Sequence, residues 1–189
     1  MRIFSQNIIN YGIPIPKNSI LRINLAWINS IEELEIILGK NKNSEIFLDL
    51  PVGRTKPPNN KYSFDDIVII LEKNENIKYF AISNVNSPQN IEKLIEKIPK
   101  HVSLVPKIES PEGVKNIQGI SELLKNKKII MLDHDDLYSN LTKDGEKPER
   151  FKDYISNLTD FCQLNNVTML RTIGVIFSDE ETRITQYSK

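Results

Sequence analysis

A chain of 189 residues with 39% hydrophobic and 26% charged residues carries enough apolar material for one globular domain with a real core. Its 25 basic and 25 acidic side chains cancel, so no basic field invites nucleic acid and no polybasic patch invites a membrane surface. A small molecule or another protein is left as the partner.

The segment MRIFSQNIIN has one arginine and no apolar leader core, and the longest aliphatic run, IVIIL at 67–71, is far too short to cross a bilayer. These features lead us to expect a cytosolic (cytoplasmic) protein. The N-x-[ST] triplets at Asn140, Asn157 and Asn166 are then chance products of an Asn-rich chain. The single cysteine, Cys162, lies beside Phe161 and near Leu164, which points to a buried helix position rather than to a nucleophile.

Along the chain a strand-then-helix unit repeats. ILRINLAWI (20–28) is apolar and strand-like, with Trp27 expected in core or rim packing, and Ser30 and Glu33 then stand at capping-box spacing. EIFLDL (45–50) is the next strand, and the loop PVGRTKPPNNKYS (51–63) leads to a helix opened by Ser63 and Asp66. IKYFAISNV (77–85) is the third strand. Ser87-Pro88 and Ser110-Pro111 each place a good N-cap before a proline at the first helical position. Between them lie the helical IEKLIEKI and the strand SLVPKIE, and Val114, Ile117, Ile120 and Leu124 mark the following helix. KIIMLDHDDL (128–137) is predicted as the fifth strand, 148–166 as a helix, and VTMLRTIGVIF (167–177) as the last clear strand.

Alternating strands and helices imply parallel pairing through right-handed crossovers, hence the α/β class. Polar residues recur where these strands end: Arg22 and Asn24, Asp49, Ser83 and Asn84, Lys107 and Glu109, Asp133 and Asp136, Arg171 and Thr172. In a (β/α) barrel such ends meet around one mouth. An open doubly wound sheet has less support, since no G-x-G-x-x-G loop is present. We therefore expect a single TIM-type barrel domain over 1–189, incomplete at about seven strands.

Five segments, in chain order, carry a family resemblance: LRINLAW, FLDLPVGRT, AISNVNSPQNI, VPKIESPEGVKNIQGI and IIMLDHDDLYSNL. They resemble the barrel domain of pyruvate kinase, within the superfamily of barrels that handle phosphoenolpyruvate and pyruvate. VPKIESPEGVKN is similar to that family's K-I-E-N-x-E-G-V-x-N segment almost position for position. The resemblance implies that Glu109 and Asp136 hold a divalent metal, Mg²⁺ or Mn²⁺, and that Lys107 faces the transferring phosphoryl group or enolate oxygen. It further implies that Arg22 contacts phosphate, that Thr172 stands near the protonated carbon, and that Arg54 and Asp135 belong to the substrate site. Asn24 and Asp49 would contribute to a monovalent-cation site. In the DHDD run, 133–136, only Asp136 is taken as a ligand, while Asp133, His134 and Asp135 are expected in a solvated loop.

The departures are specific. Ala26-Trp27 replaces the family's Ser-His, which removes a hydroxyl ligand and argues against K⁺. His134-Asp135 replaces Arg-Gly before the metal aspartate, and Asp135 would repel a substrate carboxylate unless it turns away. The loop at 51–63 stands where the family inserts a lid domain, and the eighth strand with its helix is expected to be missing or reduced to TRITQYS (182–188). Exposed strand edges in such a barrel favour a homo-oligomer or another covering partner.

Two functional classes follow. The first, placed ahead, is a metal-dependent enzyme acting on phosphoenolpyruvate, pyruvate or a related oxo acid through an enolate. It would be a pyruvate-kinase-like transferase or, as an alternative, an aldolase or lyase. The second is a non-catalytic binding or regulatory module on the same scaffold.

Overall fold

The computed structural model describes residues 3–5, 18–53, 58 and 60–171. The chain forms two compact units, one of Met1–Ser83 with Leu94–Val105 and one of Asn84–Lys93 with Pro106–Lys189.

In the first unit β1 (Ile3–Ser5), β2 (Ile20–Asn24), β3 (Ile46–Leu50) and β4 (Ile77–Ile82) pair in parallel in chain order. Asn24 stands opposite Asp49 in the β2–β3 register. All five residues of β3 are buried, as expected of a parallel strand covered on both faces. The expected 20–28 strand stops at Asn24, and Leu25–Trp27 form a 3-10 turn on which Trp27 is 52% exposed, so it is not a core residue.

Helix α1 (Ile31–Lys40) turns Leu34 and Leu38, one turn apart, into the core. Fully burying each leucine contributes about 2 kcal/mol. Its start is half of a capping box: Ser30 Oγ accepts the Glu33 amide at 3.2 Å, but the Glu33 carboxylate accepts from the Asn29 amide. At α2 (Phe64–Lys73) the box is complete, with Ser63 Oγ accepting the Asp66 amide and Asp66 Oδ2 accepting the Ser63 amide. Ile67, Ile70 and Leu71 then form the buried face.

In the second unit the carboxyl half of β5 (Ser103–Ile108), then β6 (Ile129–Leu132) and β7 (Thr168–Arg171), pair in parallel in chain order. Ser87-Pro88 opens a 3-10 turn, Pro88–Asn90, and the α-helix, α3 (Glu92–Lys97), begins later and from Leu94 onward belongs to the first unit. The helix predicted after Ser110 is divided at Asn116 into α4 (Pro111–Lys115) and α5 (Ile117–Glu122).

The main correction concerns 128–137. The strand ends at Leu132, and α6 (His134–Lys143) starts at once, capped by Asp133. Asp133 offers the backbone a side-chain acceptor, and that local bond favours a helix start over further extension. Helix α7 (Arg150–Leu164) buries Phe151, Tyr154, Leu158 and Cys162 along one face. Burial pushes the Cys162 thiol up to about 11, which makes it a packing group.

All described strand pairs are parallel and helices intervene between strands from β2 onward, so the α/β class is observed. Within neither unit does the strand order reverse, which is the succession of a (β/α) barrel and not of a doubly wound sheet. Seven strands occur among the described residues. Residues 182–188, expected to hold an eighth, lie outside them. No helix among the described residues is long and apolar enough to cross a membrane.

Candidate metal centre

Glu109 follows β5 directly, and β5 delivers it beside Lys107, which stands opposite Met131 of β6. Both charged residues are buried, at 1% and 5% exposure. Lys107 Nζ lies 2.7 Å from Glu109 Oε1, and Glu109 Oε2 accepts the main-chain amide of Asn84 at 2.7 Å. Asn84 donates from a left-handed backbone, φ +57°, a conformation that asparagine tolerates better than most side chains. The Glu109 carbonyl accepts from Asn140 Nδ2 at 2.8 Å.

The segment that carries Asn84 is pressed against the first turn of α4. A Cβ on Gly113 would come within 2.7 Å of the Val85 carbonyl oxygen. Only glycine admits that approach without backbone movement.

Burial pushes the Glu109 carboxyl above the usual carboxylate range. The Lys107 charge and hydrogen bond and the Asn84 amide oppose that shift, and the nearby Asp133 charge adds to it. Oε1 meets the Lys107 ammonium as its ion partner and has no other hydrogen-bond partner, so this buried oxygen keeps acceptor capacity.

Helix α6 supplies two more carboxylates. Asp133 is its N-cap, with Oδ1 accepting the Asp136 amide at 3.3 Å. The three-residue spacing of cap and first turn sets Asp136 beside it. One oxygen each from Glu109, Asp133 and Asp136 lie within 4.8 Å of one another. The structure thus places Glu109 beside Lys107 and clusters it with Asp136, and adds to that cluster Asp133, expected in a solvated loop. The signal for Asp133 was available: an aspartate three positions before another, directly after a buried strand, reads as an N-cap.

The donor set is chemically coherent. Three carboxylates converge, one of them paired with the Lys107 ammonium, and such clustered negative charge could hold a cation. All-oxygen donors suit hard ions such as Mg²⁺ or Mn²⁺.

Asp135 is exposed in the first turn of α6. His134 Nδ1 is buried without a hydrogen-bond partner, and burial, aided by Arg171, holds this imidazole below its usual pKa.

Arg22, Asn24 and Asp49 belong to the first unit. Arg22 Nε donates to Asp49 Oδ2 at 3.1 Å, and Nη2 meets the same oxygen, while the fully buried Asp49 keeps Oδ1 without a hydrogen-bond partner. Asn24 Oδ1 accepts the Ala26 amide at 3.0 Å as the cap of the 3-10 turn. Arg54 and Thr172 lie outside the described residues.

No family model matches the chain, and no curated protein matches it. Among solved structures it is similar to the crystal structure of RipC from Yersinia pestis, with TM-score 0.59 and 15% identity over 89% of this chain and 79% of that one. It is also similar to the citrate synthase SbnG, with TM-score 0.60 and 14% identity over 89% of this chain and 73% of that one. At these identities the likeness is one of fold.

Proposed function

We propose that the protein is a divalent-metal-dependent enzyme that stabilises the enolate of phosphoenolpyruvate, pyruvate or a related 2-oxo acid on a partial (β/α) barrel of pyruvate-kinase-like type. The observation that carries this reading is the convergence of Glu109, Asp133 and Asp136 to within 4.8 Å, with the Lys107 ammonium 2.7 Å from the buried Glu109. Glu109, Asp133 and Asp136 would hold Mg²⁺ or Mn²⁺. The ion would offset the negative charge that develops on the enolate oxygen. Lys107 would add a second positive charge to the same region in a site of low dielectric, where fixed charges act more strongly than in water.

Two chemistries use such an enolate. Phosphoryl transfer follows from the pyruvate kinase resemblance. Aldol or lyase chemistry gains from the structural neighbour named as a citrate synthase, since making citrate joins carbon to carbon. The short loop at 51–63 also favours it, because phosphoryl transfer requires closure against water. We place the carbon–carbon reading first on these two grounds. A homo-oligomer that covers strand edges belongs to the same proposal, and light scattering of the full chain checks it.

Calorimetry with oxalate, a planar dianion that mimics the enolate, tests the reading. Oxalate is expected to bind in the presence of Mg²⁺ and not in its absence. Metal-independent or absent binding contradicts the enzyme and leaves the non-catalytic module. Saturable ADP binding would return phosphoryl transfer to first place.

A further inference from the structure

The cation site draws its ligands from two elements, the end of β5 and the start of α6, and one side-chain hydrogen bond ties these directly. Asn140 Nδ2, in the last half of α6, donates to the main-chain carbonyl of Glu109 at 2.8 Å. Asn140 is half-buried and stands one helical turn beyond Asp136, on the helix that Asp133 caps. We propose that Asn140 is a positioning residue of the metal centre: it pins α6 to the Glu109 main chain and so sets the separation of Glu109 from Asp133 and Asp136. This rests on the metal-centre reading above.

The geometry gives the bond leverage. Glu109 lies past the last residue of β5, where the sheet ladder no longer holds the chain, so its main chain depends on other partners. Its carboxylate is already directed by the Asn84 amide on Oε2 and by Lys107 at Oε1. The Asn140 amide does for the main chain what these do for the side chain. Asp133 and Asp136 move with α6 as a rigid body, because both stand in its first turn. A shift of α6 along β5 would separate both aspartates from Glu109 together. Partners that orient ligands without touching the metal typically contribute 10- to 100-fold in affinity.

The same structure supplies a control. Asn116 Nδ2 donates to the Asn86 carbonyl at 2.8 Å, a bond of the same type and length that involves none of the three carboxylates.

The test is titration of Mn²⁺ alone into the full chain by calorimetry, paired with thermal melting in EDTA. Variants N140A and N140L are compared with wild type and with N116A. N140L keeps the branched side-chain skeleton and leaves no cavity while removing the donor, so it separates a lost bond from a cavity. Both Asn140 variants are expected to bind Mn²⁺ about ten-fold or more weakly, with melting shifts in EDTA no larger than that of N116A, whose Mn²⁺ affinity stays at the wild-type value. N140Q, with an amide on a longer arm, should recover part of the affinity. Wild-type affinity in N140L overturns the proposal while leaving the metal centre in place. Equal weakening in N116A overturns it as well, by assigning the effect to general loosening. Wild-type protein that binds no Mn²⁺ removes the metal centre and this inference with it.

Discussion

Lys107 Nζ and Glu109 Oε1 are 2.7 Å apart in a setting where neither residue exceeds 5% exposure. A buried pair of this kind is costly to break from one side, because the remaining charge stays desolvated. Lys107→Met should therefore lower metal-free stability by about 3 kcal/mol. Mn²⁺, which can replace the lost positive charge, should raise the Tm of this variant by more than it raises that of wild type. An equal Mn²⁺ effect on both would show that the ion does not neutralise Glu109.

The raised pKa of Glu109 gives a pH dependence of definite sign. With the folded value above the unfolded one, the native state binds more protons in the interval between them, so this group's contribution to metal-free stability is present below that interval and is lost as pH rises through it. Metal binding requires the ionised form. Mn²⁺ affinity should fall as pH is lowered through the same interval, above the usual carboxylate range, and calorimetry across pH measures it. Glu109→Gln should abolish both the metal binding and this pH slope while the far-UV circular dichroism stays native.

Asp133 serves as helix cap and as third carboxylate, and one substitution separates the roles. Asparagine caps helices about as well as aspartate, so Asp133→Asn should change metal-free stability by no more than about 0.5 kcal/mol. Removing one ligand charge should weaken Mn²⁺ binding roughly ten-fold. Unchanged affinity would assign Asp133 to capping alone.

Cys162 is buried on α7 with its thiol pushed up to about 11. Its reaction with a disulfide reagent near neutral pH should be at least roughly a hundred-fold slower in the native protein than in the unfolded chain. Prompt modification of the native protein would contradict the helix packing.

Much of the fold was legible because the determining features are local. Ser63 and Asp66 announce α2 within four residues, and the apolar runs of β3 and β5 mark strands buried on both faces. The three-residue β1 escaped because so short a segment shows no alternation. The first turn of α6 reads as strand for a different reason: IIMLDHDD continues an apolar strand into polar residues without a break, and the one local signal of the switch is the three-residue spacing of Asp133 and Asp136, which the structure shows as a cap bond. Within the candidate site, Lys107, Glu109 and Asp136 could be named from the resemblance. Asn84 is named from the sequence only among the polar residues at strand ends, and its actual contribution, a backbone amide in a left-handed conformation, leaves no sequence signal. Asn140 was equally hidden: its partner is a main-chain carbonyl 31 positions away, and such pairings leave no trace in spacing.

The most direct test of the metal centre is a crystal of the full chain grown with Mn²⁺ and oxalate, with anomalous data collected to locate the ion. The account predicts one strong peak within about 2.5 Å of carboxylate oxygens of Glu109, Asp133 and Asp136, with Lys107 beside the bound oxalate. A well-ordered crystal at saturating Mn²⁺ with these three carboxylates resolved and no peak among them would contradict it.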